Sequence, residues 1–148
     1  MAQFRKVKGS FKIKSTQVFR REIERRMPIV LAAQIERHFR QGFEKGGGQT
    51  DDSRGGWKKR KKPDAGRGIL IKSGLLRRDV KQRAATFRNI IVGTSNRTIA
   101  YAQVHNEGLQ SGRGAGFIMP KREFIGYSLI LEERNAKLIA AELKKMLI

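Results

Sequence analysis

The chain has 148 residues, 39% of them apolar, and sets 33 Lys and Arg against 13 Asp and Glu for a formal charge of +20. That is the size and apolar content of one folded domain rather than of a disordered tail, and the absence of cysteine excludes a disulfide framework and a thiolate metal site. The longest apolar runs, 29–33 and 129–131, fall far short of the ~20 residues that cross a bilayer, and no leading segment has the form of a signal peptide; a soluble protein that makes no membrane contact is expected.

The first 14 residues interleave Phe4, Val7, Phe11 and Ile13 with lysines and arginine. Phe11-Lys12-Ile13-Lys14 alternates with period two, so 1–14 reads as a basic arm or short strand ahead of one domain over 15–148. Ser15 or Thr16 can then cap a long helix, because Phe19, Ile23, Met27, Leu31, Ile35, Phe39 and Phe43 recur every fourth residue and form one apolar face. Pro28 lies inside that pattern and predicts a kink or a junction of two helices.

Residues 45–68 read as a flexible Gly- and Lys-rich loop. Its first part, 46–56, has neither periodicity nor apolar content; Trp57 then opens the run Lys58, Lys59, Arg60, Lys61 and Lys62, which ends at Pro63 and is followed by Arg67. Such a run is either a solvated loop or a phosphate-tracking one. From Ile69 the pattern turns to strands. Ile69-Leu70-Ile71 is a short apolar run, residues 75–78 can form one helical turn, and 80–86 with 89–93 predict a hairpin that buries Ile90, Ile91 and Val92. After a short mixed segment at 100–107 and a loop at 110–116, Ser128 is a candidate cap for a final helix. That helix sets Leu131, Leu138, Ile139, Leu143, Met146 and Leu147 on one side, with glutamates early and lysines late, as the helix dipole favours. The order gives an α+β fold: a long N-terminal helix and a C-terminal helix packed on a mainly antiparallel β-sheet.

Groups for catalysis are few. His38 lies on the long helix as a core-edge residue and His105 stands alone. Asp51 and Asp52 are adjacent in a glycine loop without the spacing of a chelating loop. Ser73-Gly74 lacks the preceding glycine of a nucleophile elbow, and the glycines at 112–116 lack the strand-to-helix setting of a nucleotide loop. No enzyme activity, cofactor or metal is expected. Phe19, Phe39 and Phe43 follow the helical pattern and read as core rather than as stacking platforms for bases.

Four segments in order carry a resemblance. They are Phe39 to Phe43 followed by glycines and Gly55-Gly56-Trp57-Lys58; Ile69-Leu70-Ile71-Lys72-Ser73-Gly74-Leu75-Leu76-Arg77; Ile91-Val92-Gly93-Thr94 leading to Tyr101-Ala102-Gln103-Val104-His105-Asn106-Glu107-Gly108; and Pro120-Lys121-Arg122-Glu123-Phe124-Ile125-Gly126-Tyr127-Ser128. Together, from about Ile35 to the C-terminus, they resemble the phage virion morphogenesis family of tail completion and head-tail joining proteins, a group with members similar to one from phage Mu. The resemblance implies a structural subunit of the virion neck or tail end, assembled in host cytoplasm, which forms a homo-oligomeric ring against portal, connector or tail proteins. It assigns scaffold roles to Trp57, Ser73, Gly74, Leu76, Gly93, Tyr101, His105, Gly108, Arg122, Phe124 and Gly126. Gly74, Gly93 and Gly108 would supply turns closed to larger residues, Arg122 would reach a carbonyl or carboxylate, and Tyr101 and His105, four apart, would share a face if helical. Lys58, Lys59, Arg60, Lys61, Lys62 and Arg67 are candidate contacts to DNA, without base specificity, or to an acidic neighbour. The arm and the glycine loop would become ordered against neighbours. The rival reading is a cytoplasmic basic nucleic-acid-binding protein without sequence specificity.

Overall fold

One 30-residue helix, α1 (Thr16–Lys45), is the longest element, and the C-terminal helix and the first hairpin pack against it. Ser15 starts it: the hydroxyl accepts from the Val18 N–H at 3.4 Å, satisfying one of the donors a helix N-terminus leaves open. The helix continues through Pro28 as one element, not two. The computed structural model describes residues 15–62, 66–95 and 99–147, so the arm expected at 1–14 and Pro63 lie outside them. Of the four-residue stripe, Met27, Phe39 and Phe43 are buried while Phe19, Ile23, Leu31 and Ile35 are half-buried. Gly46, with φ of 73°, ends the helix in the left-handed region that costs glycine little.

The C-terminal helix α4 (Leu129–Leu147) runs antiparallel to α1. Three cross-links fix that direction: Arg26 pairs with Glu142 at 3.1 Å, Gln34 donates to Asn135 at 2.7 Å, and His38 meets Ser128 at 3.1 Å. Ser128 caps α4 as expected, accepting from the Leu131 N–H. Leu131 and Met146 are buried, but Leu147 is 64% exposed and leaves the stripe. Glu142, which no apolar pattern marks, is buried instead, and holds Arg26 and Lys145.

Between these helices the chain makes α2 (Leu75–Asp79), β1 (Lys81–Ala85), β2 (Ile90–Gly93), α3 (Ile99–Glu107), β3 (Gln110–Ser111) and β4 (Phe117–Ile118). The fold is α+β, and its strands are all antiparallel. They form two separate two-stranded ribbons, β1-β2 and β3-β4. The first is the expected hairpin, with an irregularity between Gln82 and Ala84. It is more exposed than its apolar sequence implies: α1 packs against both of its strands, yet Ile91 is 45% accessible. Arg40 on α1 ties this region down by donating to the carbonyls of Val80 and Arg78 at 2.8 and 3.2 Å. Ile69-Leu70 is a turn rather than a strand. Leu70 takes a positive φ of 61° while its side chain is buried in the core, so packing outweighs the strain.

The glycine segment after α1 is also not structureless. Residues 51–53 form a 3-10 turn, and Gln49, Thr50 and Ser53 are buried around the Ser53 hydroxyl, which accepts from Gly48 N, Thr50 N and the Thr50 hydroxyl at 3.2, 3.2 and 2.8 Å. Polar side chains fill this interior, which is why an apolar pattern cannot show it. Asp51 accepts from Leu129 N at 3.2 Å and so holds the first turn of α4, where a carboxylate is favoured.

His38 sits at the centre of the α1-α4 seam. Its Nε2–H donates to the Gln49 carbonyl at 2.8 Å, and that tautomer leaves Nδ1 to accept from Arg134 at 3.3 Å. Burial does most to push the imidazole below its ordinary range; the Gln49 carbonyl works in the other direction, and the charges of Arg134 and Lys45 add to the depression. A folded pKa below the unfolded one means that the unfolded chain binds the proton first as pH falls. The contribution is therefore complete above about pH 6.5 and is lost as pH falls through the folded value. Urea midpoints are expected to be lower at pH 5 than at pH 7.5, with a flatter dependence in His38→Gln. An equal slope in the variant would show that His38 is not the group involved.

Candidate functional site

Three elements converge on Trp57. The indole lies edge-on to Phe43 of α1 at 5.4 Å, the Phe124 ring is tilted against Phe43 at a centroid distance of 5.4 Å, and Nε1–H donates to the Glu123 carbonyl at 2.9 Å. Trp57 N–H also donates to the Gly46 carbonyl, which closes the polar loop onto the helix end. Gly47 permits this approach. It has φ of 109°, and a Cβ there would stand 2.7 Å from the Trp57 nitrogen.

The segment carrying Phe124 has little secondary structure, so its backbone groups are satisfied from outside. Asn106 of α3 contributes more of these bonds than any other residue. Its side-chain oxygen accepts from Phe124 N and Ile125 N at 2.9 and 3.1 Å, and its amide donates to the Ile125 carbonyl at 3.0 Å. The Arg122 N–H donates to the His105 carbonyl at 2.8 Å and its Nε to the Lys58 carbonyl at 3.0 Å. Arg122 thus reaches a carbonyl, as expected, and anchors the first residue of the basic run.

Around Arg122 lies a cluster of polar groups. Tyr101 and His105 do share a face of α3, with ring centroids 4.5 Å apart. His105 is 7% exposed and its Nδ1 is buried without a partner. Burial, and then the charge of Arg122, push its imidazole below the ordinary range, so it is neutral near pH 7. Arg122 is 8% exposed; burial and then the charge of Arg60 lower its pKa, with Tyr101 opposing. A guanidinium nonetheless stays protonated.

The remaining family-motif residues divide by role. Trp57, Leu76 and Phe124 are core. Ser73 and Gly74 line a cleft of about 240 Å³ against Tyr101, and Gly93 lines one of about 400 Å³ against Ala102 and Asn106, so α3 stands between two clefts. Gly74 and Gly108 have φ of 70° and 73°, the turn conformations expected of them. Gly93 does not: it is the last residue of β2, and its φ is not positive. At Gly126 a Cβ would come 2.6 Å from the Glu123 carboxyl, the far end of a flexible side chain that can move aside, so space alone does not require glycine there. Lys58, Lys59, Lys61, Lys62 and Arg67 are exposed, while Arg60 is half-buried and donates to the Gly68 carbonyl at 2.9 Å. Sequence reasoning passed over Asn106 as a functional side chain; an Asn two residues before a helix-ending glycine was the available signal.

Chemically, these groups bind and hold. His38 and Ser128 are in contact, yet His38 Nε2 carries its proton toward the Gln49 carbonyl and the Ser128 hydroxyl accepts from Leu131 N, so this is not a base with its nucleophile. Among the described residues no group of three or more His, Cys, Asp or Glu could hold a metal ion, and no helix is long and apolar enough to cross a membrane.

The sequence profile of the phage virion morphogenesis family matches residues 10–144. The match therefore extends well upstream of Ile35, where the motif likeness begins, and includes all of α1. No curated protein and no solved structure gives a match.

If Asn106 and Trp57 hold the 120–128 segment as described, their loss is costly. Asn106→Ala leaves three backbone groups without partners and is expected to destabilise by about 3 kcal/mol. Trp57→Phe removes one hydrogen bond and some volume, for about 1–2 kcal/mol, whereas Trp57→Ala opens a cavity worth about 3–5 kcal/mol. Denaturant unfolding followed by far-UV circular dichroism measures each. A cost below about 1 kcal/mol for Asn106→Ala would contradict the assigned role.

Proposed function

The chain belongs to the phage virion morphogenesis family, and from that premise we propose that it is a non-enzymatic structural subunit of the neck or tail end, forming a homo-oligomeric ring that completes the head-tail junction. A phage structural or assembly role follows from the family itself. The ring and its place at the junction are our reading, and one observation carries it. The motif residues are engaged in holding loops to the α1 spine, and what the described surface offers outward is contact area rather than converging reactive groups. On one ribbon Phe117 and Ile118 are 56% and 72% exposed, and Tyr127, Leu129 and Ile130 are exposed beside the start of α4. Exposed large apolar residues of this kind, where they join into a patch, are a usual mark of protein interfaces.

The basic run gives the ring a second contact. Lys58, Lys59, Lys61, Lys62 and Arg67 project from a stretch without helix or strand, and their mutual repulsion is offset when a polyanion or an acidic neighbouring ring faces them. Contacts of this kind sense phosphate charge and not base identity.

Mass spectrometry of purified particles and native mass of the isolated protein test the principal claim. The chain is expected in virions and, alone or with its neighbours, in a closed multiple of its mass. Absence from virions together with co-purification with bulk RNA or DNA would establish the free nucleic-acid-binding alternative instead. For the basic run, replacing Lys58, Lys59, Lys61 and Lys62 by Gln should leave the fold intact and flatten the salt dependence of DNA binding, each lost phosphate contact removing about 0.9 from the logarithmic slope. An unchanged slope with normal particle assembly would make the run a solubilising loop only.

A further inference from the structure

Arg122 is a nearly buried cation for which the described chain supplies no counter-charge. Its Nε is taken by the Lys58 carbonyl, but among the described residues no carboxylate lies within ion-pair distance of it, and after burial the charge of Arg60 does most to lower its pKa. Burying a charge without a partner is unfavourable by several kcal/mol unless something outside completes it. Beside it is a second incomplete group, the His105 imidazole, which is more than nine-tenths buried with an unpartnered Nδ1. The terminal nitrogens of Arg122 are not among the atoms sealed from solvent without a partner, so this fork of donors remains reachable, in the geometry that takes a carboxylate through two parallel bonds.

We propose that Arg122, with Arg60, Tyr101 and His105 around it, is the seat for a carboxylate from an acidic segment of a neighbouring protein subunit. The seat stands on these side chains; only the source of the carboxylate rests on the reading of the chain as an assembly subunit. An Asp or Glu side chain suits the site better than a DNA phosphate. Lys58 and Lys59 are exposed on the very stretch whose carbonyl Arg122 holds, so a stiff duplex meets those lysines first, whereas a carboxylate on a flexible side chain can reach a guanidinium that is 8% exposed.

The test uses the two histidines as reporters, since the chain contains only His38 and His105. The protein is titrated by NMR in the presence of a blocked tetraglutamate peptide and, separately, of a short DNA duplex. A carboxylate on Arg122 cancels the positive charge facing His105, so the His105 titration is expected to move to higher pH with the peptide, while His38, facing Arg134 and Lys45, stays in place. Arg122→Lys keeps the charge but loses the fork, and should weaken peptide binding at this site by about tenfold or more. Lys58→Gln with Lys59→Gln should leave the His105 response intact. If the lysine variant of Arg122 does not fold, the two wild-type titrations and the Lys58/Lys59 variant decide the matter alone. No movement of His105 with peptide, movement with duplex only, or loss of the response in the Lys58/Lys59 variant would each overturn the proposal. A chain absent from virions that still showed the peptide response would retain the seat and lose only its assignment to a virion neighbour.

Discussion

The packing of Trp57 against the C-terminal end of α1 is the contact on which the rest of the fold depends. Phe43 is the common partner of Trp57 and Phe124, so one aromatic cluster joins the spine, the polar loop that follows it, and the segment that leads into α4. The approach requires a residue without a side chain at Gly47 and a carbonyl at Glu123 to receive the indole N–H. Two-stranded ribbons contribute little independent stability, and this fold has two of them. Aromatic burial and the α1-α4 seam carry more of the load than in a protein with a full sheet.

A chain with a net charge of +20 must also distribute repulsion. Some of its ion pairs join two exposed side chains, such as Arg20–Glu24 and Lys121–Asp52, and pairs of that kind contribute little to stability. Carboxylates with more consequence are those placed at joints. Asp51 meets the first turn of α4, Glu36 accepts from the Gln82 backbone N–H at the start of the hairpin, and Asp79 accepts from both the backbone and hydroxyl of Ser95. These few acids are used to position backbone.

The α3 helix gathers several motif residues and directs them to different neighbours. Within nine residues it presents Tyr101 to one cleft, Ala102 and Asn106 to another, and His105 toward Arg122. Each face contacts a different part of the chain, and the helix acts as a joint among the hairpin, the loop before α2 and the segment before α4.

Local pattern was sufficient to read the long helix, its Ser15 cap, the β1-β2 hairpin, the Ser128 cap and the α+β class from the sequence, because each depends on periodicity or capping chemistry within a few residues. The same locality explains the errors. Ile69-Leu70-Ile71 has the composition of a strand, but a core position 27 residues after Phe43 in the chain draws Leu70 into a left-handed turn. Ile91 has the composition of core, yet it is 45% exposed on the ribbon. Residues 46–56 have no apolar signal because their interior is made of hydroxyls and amides. Glycines 74 and 108 could be assigned their turns from sequence, whereas Gly93 could not be distinguished from them without its backbone angles. By itself the sequence determined the helical spine, the excess of positive charge and the ordered set of motif residues, since these are properties of neighbours along the chain. Only the tertiary structure decided that Asn106, Trp57 and Arg122 hold one segment in common and that Arg122 is buried with no carboxylate partner among the described residues, because those facts arise from contacts between residues as many as 66 positions apart, whose partners no local spacing specifies.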